Sequence, residues 1–176
     1  MSLKSHFTLM AEYNQIMNRN LYDAASKLSV VELTTDQGAF FGSIINTLNH
    51  ILVGDIIWLK RFASHPFVSL EYVRALPQPT ALNTVLYADL EILKQHREIL
   101  DNVIVQFASE LNDEVLIQPL IYQNTKGIEH QKNCAHLLQH FFNHQTHHRG
   151  QVSTLLSQQG IDIGATDLVL LIPDLD

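Results

Sequence analysis

Apolar positions recur at helical spacing along four long stretches of the chain, each almost free of proline and glycine. The first runs from about Lys4 to Leu28, with Phe7, Met10, Tyr13, Ile16 and Met17 in the repeat. The second covers about Phe40 to Phe62, and Thr35 or Asp36 could cap its start. The third spans roughly Leu82 to Leu111, opened by Thr80 behind Pro77 and Pro79. The fourth runs from about Cys134 to Gln159 and stops at Gly160, a residue type suited to the left-handed turn that ends helices. Between the third and fourth, Asn112 to Lys132 lacks a helical stripe. Leu120-Ile121-Tyr122 and the turn signal Asn124-Thr125-Lys126-Gly127 point to a short hairpin or an extended crossover there. The tail Thr166 to Ile172 is apolar enough to pack onto the helices. The expected fold is all-α: one four-helix bundle over residues 1–176, a single domain with a long crossover between helices 3 and 4.

The chain's 176 residues are enough to bury a substantial core, and 46% hydrophobic with 16% charged residues fits a globular protein. The net charge of −7 argues against a nucleic-acid surface, which needs clustered Lys and Arg. Cys134 is the single cysteine, so no internal disulfide can form and a reducing, cytoplasmic setting is expected. No apolar run approaches the roughly 18 residues of a membrane span, and Met1 to Met10 lacks a signal-peptide core.

Histidine changes the picture. The chain has 10, for which chance gives roughly 0.5 pairs at i, i+4. Three occur, at 136/140, 140/144 and 144/148. Residues four apart stack on one helix face, where two imidazoles can turn their nitrogens to a common point. A bare helical pair is nevertheless more often structural or solvent-facing than metal-binding. At roughly 100° per residue, Leu137, Phe141, Val152, Leu155 and Leu156 form the apolar stripe, and His144 and His148 lie on its inner flank. His140, His147 and His136 fall progressively further toward solvent. Gln151 shares the His144 side and could reach the same pocket. Gly150 lies nearly opposite the stripe, either as a tolerated surface glycine or as a point of close approach by another helix, such as that of a second subunit; Cys134 reads as a small buried residue.

On the second stretch, Asp55 falls within the stripe of Phe41, Ile44, Leu48, Ile51 and Trp58. A carboxylate there either pairs, with Arg149 or the spare N–H of a ligand histidine, or sits at a helix edge and meets water. His50 lies off that stripe, beside Val53 and Ile57, and periodicity reads it as partly exposed. Pattern alone does not name a third ligand for His144 and His148.

Three stretches together resemble the DinB/YfiT-like superfamily of small metalloenzymes. They are Leu48-Asn49-His50-Ile51-Leu52-Val53-Gly54-Asp55 followed by Trp58 and Arg61, His144-Gln145-Thr146-His147-His148-Arg149-Gly150-Gln151, and the weaker Thr166-Asp167-Leu168. The resemblance covers essentially the whole chain. It implies a four-helix bundle in up-down-down-up order, a divalent metal (nickel or zinc) on His50, His144 and His148, and a homodimer. It also implies a metal-dependent enzyme acting on a small molecule, either a hydrolase or an S-transferase using a low-molecular-weight thiol. Three neutral imidazoles leave positions open on the ion, which can activate a bound water or thiol. Tyr13, Asp55 and Gln151 are candidates for a further catalytic role. The alternative is a non-catalytic bundle whose metal serves structure or sensing. Neither a nucleic acid nor a membrane is expected as partner.

Overall fold

Helix boundaries in this chain fall where a short polar side chain can take the first free backbone N–H groups. The computed structural model describes residues 2–65, 73 and 75–174. Among these, the helices are α1 (Leu3–Ala25), α2 (Val30–Thr34), α3 (Ile44–Phe62), α4 (Leu90–Glu110), α5 (Asp113–Ile117) and α6 (Cys134–Gln158). Strands β1 (Pro119–Gln123) and β2 (Glu129–Asn133) precede α6, and a 3-10 turn covers Leu168–Leu171. The protein is therefore mostly helical with a small antiparallel sheet, rather than all-α.

Two of the four long helices begin later than periodicity indicates, and each time a capping side chain decides. The α3 cap is Ser43, whose hydroxyl accepts from the Asn46 N–H at 3.3 Å, and not Thr35 or Asp36. Thr35 instead follows α2, a short helix closed by a Ser29–Glu32 capping box. Asp36 accepts from the Gly38 N–H at 2.9 Å in a turn where Gly38 and Gly42 have φ of 71° and 79°. The α4 cap is Asp89, which accepts from Ile92 N–H at 2.9 Å. Residues 82–88 stay outside because Asn49 of α3 has claimed their backbone. Its Oδ1 accepts from Leu86 and Tyr87 N–H at 2.9 and 3.0 Å, and its Nδ2 donates to Tyr87 O at 2.8 Å.

The segment between α4 and α6 forms the hairpin, preceded by α5 on its Asn112 cap. Tyr122 pairs with His130 in the ladder, and the Asn124 side chain closes the turn by accepting from Lys126 and Ile128 N–H. The α6 helix ends as its sequence indicates. Gly160 has φ 76°, and its neighbour Ile161 N–H returns to Leu156 O at 3.0 Å. The tail packs less than expected: Tyr13 donates its hydroxyl to Thr166 O at 2.7 Å, but Val169 and Leu170 are each 67% exposed.

Helix α1 packs against α4 and α6, and α3 against α6 and, less extensively, α4. The core contains Phe7, Leu21, Leu48, Leu59, Phe62, Leu93, Leu100, Phe141 and Leu156 among others. Through it runs a buried polar network. Asp55 receives Arg97 Nη1 at 2.5 Å and Gln145 Nε2 at 2.8 Å. Arg97 Nη2 also meets Asp101 at 2.9 Å, and Asp101 accepts from the amides of Asn14 and Asn18 at 3.2 and 2.9 Å. Arg149 donates to Asn14 Oδ1. The partners of Asp55 are thus Arg97 and Gln145 rather than Arg149 or a histidine N–H, and the carboxylate is buried rather than at a helix edge. Removing one member of a buried ion pair costs about 3–5 kcal/mol, since the other charge is left without compensation. Arg97→Ala should lower the unfolding free energy by about that much in a urea melt; a loss below about 1 kcal/mol would show that water reaches the carboxylates instead.

Candidate metal centre

His50 comes from the middle of α3, and His144 and His148 from successive turns of α6. Although periodicity reads it as partly exposed, His50 is buried. The reason is the loop that Asn49 holds down, which covers the flank of α3 left open by its main stripe. From that loop, Leu82 O accepts the His50 Nδ1–H at 2.7 Å. The other face of the ring is stacked on Phe41, with centroids 3.9 Å apart. These contacts fix the tautomer and leave Nε2 as the free lone pair.

His148 is arranged alike: its Nδ1–H donates to Gln151 Oε1 at 2.7 Å, so its Nε2 is also unprotonated. His144 is held by shape. A Cβ at Gly54 would lie 2.9 Å from His144 Cε1, so the ring occupies the space that glycine leaves on α3. The His50 Nε2 lies 3.2 Å from the Nε2 of His144 and 3.2 Å from that of His148. Nitrogens bound to one tetrahedral zinc at about 2.0–2.1 Å would stand about 3.3–3.4 Å apart. The spacing and the donor type both fit a divalent ion. Two bare lone pairs facing each other at this distance repel, and a cation between them removes the repulsion.

The site also favours unprotonated rings. Burial, reinforced by the positive potential of His148 and His50, pushes His144 from 6.5 down to about 3. Burial likewise holds His50 and His148 below the usual imidazole range, against the opposing effect of their hydrogen bonds to Leu82 and Gln151. Neutral imidazole is the form that binds metal.

A cleft of about 700 Å³ opens beside the cluster. Besides the three histidines it is lined by Phe40, Phe41, Leu82, Asn46 and Asn83. Among the described residues, no fourth His, Cys, Asp or Glu joins the three imidazoles.

The other sequence candidates fall elsewhere. Gln151 touches His148, as its side of the helix indicates. Tyr13 is engaged with Thr166 O and lies under the Arg149 guanidinium, away from the cleft. Asp55 belongs to the core network. His136, His140 and His147 are exposed, and His140 packs edge-on against Trp58. Cys134 is buried, and its thiol is pushed up to about 11 by that burial, which does not suit a nucleophile. Sequence reasoning missed Asn49, Phe41, Leu82 and the close approach at Gly54. Only the last left a signal, a glycine inside an apolar helix.

A helical fold that brings three imidazoles from two helices to one point defines a protein with a candidate mononuclear metal centre. The family model of the DinB family matches residues 1–173, and the chain belongs to that family. It is 27% identical over 158 residues to Protein DinB of Bacillus subtilis (strain 168), an alignment covering 89% of this chain and 87% of that protein. No solved structure matches the chain.

The depressed pKa of His144 makes the stability of the metal-free protein depend on pH. In the metal-free protein the unfolded chain takes up this proton near pH 6.5 and the folded chain only near 3, so this ring's contribution lowers stability as pH falls through that window. A ring-proton NMR titration of His144 should show it still neutral at pH 5. A transition near 6.5 would mean that the ring is hydrated and not seated against Gly54.

Proposed function

We propose that this protein is a divalent-metal-dependent enzyme acting on a small molecule, with His50, His144 and His148 as the metal ligands and nickel or zinc as the ion. The observation that carries the reading is the pair of bare Nε2 atoms on His50 and His148. The two lie 3.2 Å apart, and His50 Nε2 also lies 3.2 Å from that of His144, while each Nδ1–H of the pair is tied to an oxygen on the far side. An ion on three neutral imidazoles supplies Lewis acidity and lowers the pKa of a coordinated water or thiol. The protein's own groups hold and orient the rings. Leu82 O and Gln151 Oε1 fix their tautomers, Phe41 shields one face of His50, and Gly54 gives His144 its place.

The cleft favours chemistry over a closed structural site, because it leaves room for a further molecule beside the cluster. Thiol-dependent S-transfer and hydrolysis both follow from an activated nucleophile at such a centre, with a low-molecular-weight thiol as cosubstrate in the first case. The four long helices are further proposed to run up-down-down-up. That order makes the second and third long helices parallel, which puts the long return between α3 and α4 and not between α4 and α6. A homodimer is part of the same reading. Among the described residues, nothing beyond its own helix lies within 4 Å of a Cβ added at exposed Gly150, which so offers α6 to a second copy. The single, buried Cys134 suits a cytoplasmic setting.

Elemental analysis of the purified protein should give one nickel or zinc per chain, lost in His50→Ala and His148→Ala. Variants that fold and keep stoichiometric metal would remove these ligands from the proposal. Gly54→Ala should weaken metal binding by tenfold or more, since its methyl group displaces the His144 ring; unchanged affinity would show that the ring can move aside. A screen of electrophiles with and without cellular thiols then separates the two reactions, thiol-dependent turnover marking transfer and thiol-independent turnover hydrolysis. Absence of both from the metal-loaded protein would count against an enzyme.

A further inference from the structure

Phe40 is 86% exposed, the highest value of any large apolar side chain among the described residues. Its exposure is not that of a loose loop. Gln37 N–H donates to Gly42 O and Gly42 N–H to Ala39 O, both at 2.8 Å, and the two glycines take the left-handed turns. A hydrogen-bonded loop thus presents the ring at the cleft, edge-on to Phe41 at 4.9 Å, while Phe41 in turn lies against His50. Leu82, 47% exposed, adds an aliphatic side chain to the lining. The polar share of that lining, outside the histidines, is two amides, Asn46 and Asn83. Among the described residues, no Lys, Arg, Asp or Glu lines the cleft.

These features sort ligands by charge. A carboxylate or phosphate entering the cleft would lose water and find no cationic side chain in return. An aromatic or aliphatic body would cover Phe40, Phe41 and Leu82 and gain from their removal from water. The two amides can donate to or accept from a neutral polar group. We propose that this cleft selects an uncharged small molecule, with a polar head at the histidine cluster and an apolar, preferably aromatic, body against Phe40, Phe41 and Leu82. A multiply charged thiol would have to leave its charged groups outside in solvent. The inference rests on the metal reading above, and the concave shape favours a small molecule over a second copy of the chain as the cover for Phe40.

Three hydroxamates serve as probes, since they share one metal-binding head. After metal content has been measured, acetohydroxamate, benzohydroxamate and 4-carboxybenzohydroxamate are titrated calorimetrically into the zinc- or nickel-loaded protein. Benzohydroxamate should bind about tenfold or more tighter than acetohydroxamate, and the added carboxylate should bring no gain. In Phe40→Ala the advantage of the phenyl ring should shrink severalfold while acetohydroxamate binding is kept. Equal binding of the first two, tighter binding of the carboxylated probe, or a phenyl advantage indifferent to Phe40→Ala would overturn the inference with the metal reading intact. So would dissociation of a dimer by Phe40→Ala with probe binding unchanged, which would assign Phe40 to a subunit interface. So would failure of all three probes to bind a protein that holds stoichiometric metal, whereas a wild-type protein without stoichiometric metal would overturn the metal reading and this inference together.

Discussion

Asp55 is fully buried on a helix covered on nearly every side, and its carboxylate can be satisfied only by groups from other helices. Arg97 of α4 and Gln145 of α6 meet it, and through Asp101, Asn14 and Arg149 the same network reaches α1. All four long helices therefore share one set of buried hydrogen bonds. Apolar side chains tolerate a slide of one helix along another far better than an ion pair does. A shift of one turn would leave charges without partners in the core, at a cost of several kcal/mol. The network thus sets the relative position of helices that the apolar core merely brings together.

The histidine cluster inherits that register. Gln145, which binds Asp55, adjoins His144 on α6; Asp55 itself adjoins Gly54 on α3, where the His144 ring is seated. The same short seam between α3 and α6 therefore holds a buried charge and lines up imidazoles from both helices. Five residues before Gly54 along α3, Asn49 anchors the loop whose Leu82 carbonyl orients His50. Backbone capture at Leu86 and Tyr87 by a single amide thus holds the loop that leads into the Asp89 cap of α4 and carries the carbonyl that leaves Nε2 of His50 free. The site is built on rigid helices and fixed by second contacts, an arrangement that keeps ring positions well defined.

Much of this was legible from the chain. The extents of α1 and α6 follow from their periodicity, and the end of α6 from Gly160. The hairpin follows from the Asn124–Gly127 turn signal, and the inward placement of His144 and His148 from the stripe of Leu137, Phe141, Val152, Leu155 and Leu156. Other features were not. The starts of α3 and α4 depend on Ser43 and Asp89, which compete with other plausible caps nearby. The tail at Val169 and Leu170 is apolar in sequence yet stays at the surface. Gly54 stands in an apolar helix with nothing in the sequence to say that the His144 ring of α6 would be seated against it.

His50 and Asp55 show the division most plainly. Sequence determined that a carboxylate would stand in the apolar stripe of α3 and that a histidine would stand beside it, and likeness to the DinB family linked that histidine with His144 and His148. It did not determine that Arg97 would reach Asp55, nor that a loop more than thirty residues further along would cover His50. Helical periodicity describes one helix against one uniform partner. A helix enclosed by other helices and a loop has several partners at once, and which of them meets a given side chain is decided only when the whole chain is packed.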